Sequence, residues 1–224
     1  MQQQRLKLSL PNIQAHAWVH HSGTAMACSR LATWLIHGGT LWLKSHSPAG
    51  KSHLLHILQT EHPHLGVVSI HPKLSSLKQV DAWVKALDNY AYWSIDLPAG
   101  ALDYAHAIAV FHLIERAKMM NRPLLIVWRC HDDALAPAEL ASRMRMMEQI
   151  DISPPENEND LSLVLQAVAK QLHWDIPHTL LKVMLTHLPR DLDTQIKALR
   201  HLEAASTAER ARMSQAWAKQ TLQV

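Results

Sequence analysis

The residues Gly50-Lys51-Ser52 lie between a short apolar strand pattern and a helix pattern, and this junction constrains the fold more than any other feature. The strand is predicted over residues 40–43 and the helix over residues 51–59. A strand that turns into a helix N-terminus presents backbone N–H groups and a positive dipole end to an anion. In such a turn Lys51 is expected to contact outer phosphates and the Ser52 hydroxyl a magnesium ion. The junction therefore predicts a phosphate-binding loop.

The first half of this loop departs from the full phosphate-binding pattern. The pattern begins with glycine where this chain has Ser45, and its fourth place, often glycine, holds Pro48. Proline has no N–H to offer a phosphate. Two interpretations stay open: a strand–helix junction that kept its lysine without binding nucleotide, or a site for ATP or ADP with magnesium. The residues of the second interpretation are Ser45, Ala49, Gly50, Lys51 and Ser52.

Strand and helix patterns alternate over most of the chain. Strands are predicted at residues 40–43, 65–70, 92–96, 124–128 and 149–152, and helices at 51–59, 77–87, 104–120 and 137–146. This alternation is typical of a mostly parallel sheet with helices on both faces, an α/β fold. Residues 153–160 break the pattern like a linker, with Asp160 as a candidate helix cap, and only helical spacing follows. We therefore predict an N-terminal peptide over 1–12, an α/β domain over 13–152 and a small all-α domain over 153–224.

Composition excludes several classes of protein. A hydrophobic fraction of 48% argues against disorder, and a net charge of +3 does not demand a nucleic-acid partner. The 17 histidines are scattered and Cys28 and Cys130 form no Cys-x-x-Cys pair, so no zinc site is predicted. No apolar run approaches the ~20 residues of a membrane span. We expect a cytoplasmic protein with reduced thiols that does not bind nucleic acid directly.

The strand predicted at residues 92–96 ends in Asp96, a candidate to hold magnesium through water. A hydrolytic site usually has a second acid beside it that orients the attacking water, and here the next residue is Leu97. We therefore expect no intrinsic ATPase activity.

Two segments carry a resemblance to a known family. The KSHLLH segment at residues 51–56 is similar to the phosphate loop and first helix of the replication initiator DnaA, and the LASRM segment at residues 140–144 is similar to the Hda-type regulators that inactivate DnaA. The resemblance extends from about residue 8 to residue 224. It implies an AAA+ P-loop parallel sheet flanked by helices and followed by a helical lid. It also implies negative regulation of replication initiation, and the Hda type is favoured because no DNA-binding domain follows the lid.

The resemblance assigns roles to three positions. Arg143 matches the arginine finger, which an AAA+ protomer inserts into the nucleotide site of a neighbour, so a second copy of this chain is a candidate partner. A planar, permanently charged guanidinium suits phosphate oxygens. The sensor position after the fourth strand falls at residues 128–130, and the lid arginine that reaches the γ-phosphate corresponds to Asp193. The alternative is that Arg143 and Arg145 are solvated charges on a helix whose Met144, Met146 and Met147 pack inward. Separately, the pairs Met119-Met120 and Met146-Met147 are expected to fill gaps in the core.

The resemblance also implies a peptide that docks on the DNA polymerase sliding clamp, its beta subunit. The residues that match it are Lys7, Leu8, Ser9, Leu10 and Pro11. Two leucines on an extended peptide can fill an apolar groove. Lys7 stands where the family has glutamine, and an ammonium group cannot accept a hydrogen bond. An amphipathic first strand is the alternative for this peptide.

The expected partners are therefore DnaA and the clamp. Two other functions stay open. One is an active ATP-dependent loader, which needs intrinsic turnover. The other is an interaction module that binds neither clamp nor nucleotide.

Overall fold

The computed structural model describes residues 18–72, 74–131, 135–209 and 213–224, so the predicted clamp peptide, including Lys7 to Pro11, lies outside the described residues. Helices and strands alternate through the first two thirds of the chain, and helices alone follow. In chain order the elements are α1 (Ser22–His37), β1 (Thr40–Lys44), α2 (Lys51–Glu61), β2 (Leu65–Ser69), α3 (Ser76–Leu87), β3 (Tyr92–Asp96), α4 (Tyr104–Met119), β4 (Leu124–Trp128), α5 (Ala138–Met146), β5 (Glu148–Asp151), α6 (Glu158–Gln171), α7 (His178–His187), α8 (Leu192–Glu209) and α9 (Gln215–Leu222).

The five strands form one parallel sheet in the order β2-β3-β4-β1-β5. Strand β1 lies between β4 and β5, with Thr40 opposite Leu124 and Lys44 opposite both Trp128 and Asp151. Because all pairs are parallel, the carboxyl ends of the strands meet at one edge of the sheet. The loops after β1, β3 and β4 therefore lie together, as is usual for ligand sites in α/β sheets.

Both faces of the sheet are buried, which explains why the strands are apolar almost throughout. Successive side chains of a strand point to opposite faces. On one face Trp42, Trp93 and Trp128 are fully buried and pack with α3, α4 and α5. On the other face, Leu41 and Leu43 pack with α1 and α2. The predicted α/β fold class is confirmed.

A third hydrophobic cluster holds α6 to α9 together, and its fully buried residues are Leu165, Ala169, Leu180, Met184, Leu199, Leu202 and Ala218. The predicted cap of its first helix is wrong. Asn157 is the N-cap, and its side-chain oxygen accepts from the backbone N–H of Asp160 at 2.8 Å. Asp160 lies in the first turn instead, since the helix begins at Glu158. The limits set at residues 12 and 152 stay predictions.

Two further features differ from the sequence expectation. Helix α1 was not among the predicted elements, although Ala27, Leu31 and Trp34 are buried along it. Met119 and Met146 are 78% and 73% exposed, so neither packs in the core, whereas Met147 does. Met120 is also exposed.

In the described ranges, every helix is too short or too polar to cross a bilayer.

Candidate nucleotide site and arginine face

The loop between β1 and α2 turns at Gly50, which has φ 77° and ψ 16°. Glycine adopts this left-handed conformation at little cost because it has no Cβ. Gly50 is the N-cap of α2, and its carbonyl accepts from the backbone N–H of Leu54 at 2.9 Å. The turn leaves the first N–H groups of α2 without a helical partner, and such groups are available to an anion.

Lys51 is buried at this turn, with 8% of its surface exposed. Its ammonium group donates to the Ser45 hydroxyl, which in turn donates to the Ser47 carbonyl at 2.7 Å. Ser45 is also buried and is not part of the cavity wall described next. The residue that replaces the first glycine of the loop therefore holds the lysine in place rather than contacting the cavity.

An open cavity of about 670 Å³ lies at the carboxyl edge of the sheet, in front of this loop. We call it the phosphate cavity. Its lining comes from five parts of the chain and includes Gly50, Lys51, Ser52, Asp96, Arg129 and Asp193. Ala49 also lines it. Five of the six predicted nucleotide-site residues thus meet in one place, and the sixth, Ser45, contacts Lys51.

The surroundings of Lys51 disfavour the charged form of its side chain. Burial is the largest cause that lowers the pKa of Lys51, and the Arg129 cation lowers it further. The Asp96 carboxylate opposes both effects, and the resulting pKa is about 8. An anion bound in the phosphate cavity would favour the charged ammonium and raise the pKa of Lys51 again.

Ser52 and Asp96 carry the oxygen atoms that would contact a magnesium ion at this site. Burial raises the pKa of Asp96, while a hydrogen bond from the Ser52 side chain and the charge of Lys51 act in the opposite direction. Within the described ranges no three His, Cys, Asp or Glu side chains gather as a metal cluster. Magnesium at Ser52 and Asp96 would therefore take its other ligands from phosphate oxygens and water, as this ion commonly does.

The wall of the phosphate cavity contains no acid next to Asp96. Leu97 lines it with an apolar side chain. The other carboxylate among the described lining residues is Asp193, which binds the Lys197 ammonium at 2.6 Å. Among the described residues, the site therefore offers groups that suit a phosphate and a metal ion, but no acid adjacent to Asp96 that would orient water.

A second cavity of about 150 Å³ adjoins the first, because Ala49, Gly50 and His53 line both. Trp18 lies on it, with its ring centroid 5.8 Å from that of His53. The helical region contributes Gln171, whose amide nitrogen is 3.3 Å from His53 Nε2. This smaller, largely apolar compartment beside the phosphate cavity suits the base of a nucleotide.

Sequence reasoning missed two of these lining residues. Arg129 falls within the sensor position at residues 128–130 but was given no role of its own, and Trp18 was given no role at the site. Arg129 directly follows β4, and β4 is the neighbour of β1 in the sheet. The rule that loops after neighbouring parallel strands meet at one edge could have placed it at the site.

Arg143 lies elsewhere, on α5, and lines neither cavity. Its Nε donates to Glu115 Oε1 of α4 at 2.5 Å, and the two side chains are 35% and 31% exposed. The guanidinium carbon is 5.8 Å from the Phe111 ring centroid, and Nη1 is 4.0 Å from Met146 Sδ. We call Phe111, Glu115, Arg143 and Met146 the arginine face. Arg143 is thus half-exposed and held by one ion pair.

No family model matches the sequence. The structure has the fold of AAA+ P-loop ATPases, and it is similar to several solved members. Domain III of the replication initiation protein DnaA from Thermotoga maritima has a TM-score of 0.69 and 15% identity, covering 92% of this chain and 93% of that one. The Thermotoga maritima RuvB Holliday junction branch migration motor has a TM-score of 0.64 and 14% identity, covering 92% and 69%.

A second DnaA structure also shares this fold. DnaA from Aquifex aeolicus, solved with AMPPCP bound, has a TM-score of 0.60 and 12% identity, covering 89% of this chain and 67% of that one. The sheet and the helical region that follows it therefore correspond to the AAA+ region of DnaA. At these identities the similarity establishes the fold, and the activity has to be argued from the residues.

Proposed function

We propose that this protein is a DnaA-related regulator of the Hda type, which limits replication initiation by acting on the nucleotide site of DnaA through Arg143. The observation that carries the proposal is the position of Arg143. The guanidinium is half-exposed on the arginine face and lines neither cavity of its own chain. This exposure supports a contact with a second molecule.

Arg143 has the chemistry that a phosphate of a partner requires. Its guanidinium is permanently charged and offers a planar set of donors to phosphate oxygens. To engage a partner it has to exchange Glu115 for phosphate, and a half-exposed ion pair of this kind costs little to break. An arginine supplied in trans is worth about 10³–10⁵ in the rate of phosphoryl transfer.

The phosphate cavity has a different role in this proposal. Lys51, Ser52 and Asp96 would hold ATP or ADP with magnesium, and the ion would neutralise phosphate charge when bound. Leu97 leaves the position beside Asp96 without an acid, so the chain binds nucleotide without hydrolysing it at a useful rate. The bound nucleotide then stabilises the fold between the sheet and the helical region.

The N-terminal peptide completes the proposal. Lys7 to Pro11 would tether the protein to the sliding clamp through Leu8 and Leu10. Tethering raises the effective concentration of the regulator near clamps loaded on DNA. Regulation would then follow the start of replication, when loaded clamps are present.

The experiment that tests the proposal measures hydrolysis of ATP by DnaA in the presence of DNA-loaded clamp and the full chain. Arg143→Ala should reduce the stimulation by about 100-fold or more. Arg145→Ala is the matched control, because Arg145 is an exposed arginine two residues further on the same helix. It should stimulate like the parent. Deletion of residues 1–12 should abolish the dependence on the clamp.

Two outcomes would contradict the proposal. Stimulation that survives both Arg143→Ala and the deletion would favour an interaction module. Magnesium-dependent turnover by the isolated chain would favour an ATP-dependent motor, the kind of protein that RuvB is described to be.

A further inference from the structure

The ammonium group of Lys51 already has a hydrogen-bond acceptor inside its own loop. Lys51 donates to the Ser45 hydroxyl, and that hydroxyl donates to the Ser47 carbonyl at 2.7 Å. Ser45 is 3% exposed, so water does not readily take its place. The hydroxyl therefore fills two roles at once, as the acceptor for the lysine and as a donor to the loop backbone.

Ser45 and Lys51 differ in their access to a ligand. Ser45 directly follows β1, Lys51 begins α2, and only Lys51 lines the phosphate cavity. A phosphate in the cavity would accept hydrogen bonds from the same ammonium group. Because Ser45 is absent from the cavity wall, an ammonium that moves to a phosphate oxygen has to give up its bond to the Ser45 hydroxyl.

We propose that Ser45 is an internal competitor of phosphate, whose hydroxyl compensates Lys51 in the empty site and is given up when a nucleotide binds. This inference rests on the proposed nucleotide site and adds what sets its affinity. Only the difference between the free and the bound state contributes to binding, so a contact that is lost on binding weakens it. Ser45 therefore stabilises the empty protein and lowers its affinity for nucleotide.

The empty site needs such an acceptor, because little else compensates the lysine. Burial and the Arg129 cation both disfavour the charged form of Lys51, and Asp96 opposes them only in part. Pro48 acts in the same direction as Ser45, since it offers no N–H to a phosphate. These two departures from the full loop pattern favour the empty state, and neither removes the site.

Binding of ADP with magnesium to the full chain, measured by calorimetry at pH 7.0, tests this inference with Ser45→Ala. The variant should bind ADP about three- to tenfold more tightly than the parent. A hydrogen bond to a charged group can be worth more, about 10- to 100-fold. The pKa of Lys51, about 8, limits the gain at pH 7 to about tenfold, because a lysine without its acceptor loses the proton instead.

The dependence on pH separates this role from a merely structural one. Well above pH 8, Lys51 is neutral in the free protein whether or not Ser45 is present, so the gain in affinity should vanish by about pH 9.5. In NMR of labelled lysine, the Lys51 midpoint of free Ser45→Ala should lie below that of the parent, because the charged form has lost an acceptor.

Ser94→Ala is the matched control. Ser94 is fully buried in β3, its hydroxyl donates to the Gly66 carbonyl at 2.8 Å, and it lines neither cavity. Its loss should lower the melting temperature of the free protein, as Ser45→Ala should, but leave the ADP affinity and the Lys51 midpoint unchanged. If Ser45→Ala does not fold, Ser45→Gly, which restores the residue of the full loop pattern, is judged by the same measurements.

Three results would overturn the inference and leave the nucleotide site in place. They are an ADP affinity of the Ser45 variant equal to or below that of the parent, a gain that persists at pH 9.5, and an unchanged Lys51 midpoint. Absence of ADP binding by the parent and by both Ser45 variants would remove the proposed nucleotide site, and this inference with it. Binding by a Ser45 variant where the parent shows none would support the inference.

Discussion

The phosphate cavity and the arginine face present arginine and lysine in opposite environments. Lys51 is buried, its pKa is lowered to about 8, and Arg129 adds a second cation nearby. Arg143 is half-exposed and paired with Glu115 on the neighbouring helix. The cavity thus holds a buried lysine whose charge Asp96 compensates only in part, whereas the face carries an arginine that is paired and accessible.

One fold can therefore carry two cationic sites, one that needs a bound anion and one that needs a protein partner. A buried cation without full compensation costs free energy, and such a group is retained where a ligand compensates it. A half-exposed ion pair costs little and can be exchanged for another partner. We therefore expect the cavity to depend on a bound anion and the face to depend on a second protein. Four changes test this contrast, given in order of expected effect.

The largest effect is expected for Lys51→Ala. Loss of the buried ammonium should weaken binding of both ATP and ADP by about 100-fold, because charged hydrogen bonds to phosphate are lost. Stimulation of DnaA through Arg143 should stay within about twofold, since the two sites share no described residue. Calorimetry and the DnaA hydrolysis assay measure the two effects.

Lys85→Ala is the control for this change, because Lys85 is exposed on α3 and lines neither cavity. It should change neither measurement. A Lys51→Ala variant that binds nucleotide as tightly as the parent would show that the cavity is not a phosphate site.

A smaller effect is expected from pH. Bound phosphate raises the pKa of Lys51 from about 8 towards its ordinary value of 10.5. Above pH 8 the free protein has lost the proton that the complex keeps, so binding requires proton uptake. Nucleotide affinity should be constant well below pH 8, start to fall as the pH approaches 8, and fall by at most about tenfold per pH unit above it.

The titration of Lys51 can be followed directly by NMR of labelled lysine, with and without ADP. The midpoint should lie near pH 8 in the free protein and higher in the complex. In the free protein the free energy of unfolding should receive a contribution that rises with pH from 8 to 10.5, because the unfolded lysine holds its proton longer. An affinity that does not change up to pH 9.5 would contradict the assigned role of Lys51.

Glu115→Gln should increase the stimulation of DnaA roughly fivefold, which corresponds to about 1 kcal/mol for a half-exposed ion pair. The neutral amide keeps the shape of the side chain but releases Arg143 from a charged competitor. The DnaA hydrolysis assay measures the change. Glu139→Gln, an exposed carboxylate in the first turn of α5, is the control and should have no effect.

A decrease after Glu115→Gln would mean that Glu115 positions Arg143 rather than competing for it. That result would reverse the direction of this prediction while leaving Arg143 as the residue that acts on the partner.

The smallest effect is expected for the stability of Arg143→Ala. The free energy of unfolding should change by less than about 1 kcal/mol, because the ion pair with Glu115 is partly solvated. Trp93→Ala, which empties a fully buried core position, should cost about 3–5 kcal/mol. Urea denaturation measures both, and a large loss for Arg143→Ala would assign the residue a structural role.

Much of the fold could be predicted from local patterns. The strand at residues 92–96 and the strand at 124–128 have the predicted bounds, because short apolar runs between turn residues identify buried parallel strands. Helix α1 was missed although its buried residues are spaced for one face, since its Gly, Ser and Thr residues are poor helix formers. The methionine pairs were misassigned because methionine is common both in cores and on exposed surfaces that bind partners.

The candidate site was predicted in part. Gly50, Lys51 and Ser52 form a contiguous motif, so their shared position follows from the chain itself. The bond between Lys51 and Ser45 does not, because it depends on the path of the loop. Whether Arg143 binds phosphate, and whether Lys7 to Pro11 bind the clamp, stay predictions.

The sequence by itself determined the alternation of strands and helices, the phosphate-loop turn and the absence of an acid after Asp96, because each depends on residues that are close along the chain. Only the tertiary structure brought Arg129 into the cavity with Lys51 and paired Arg143 with Glu115, which is 28 residues away. Both contacts are set by the order in which strands and helices pack. That order minimises the free energy of the whole chain, and no single segment encodes it.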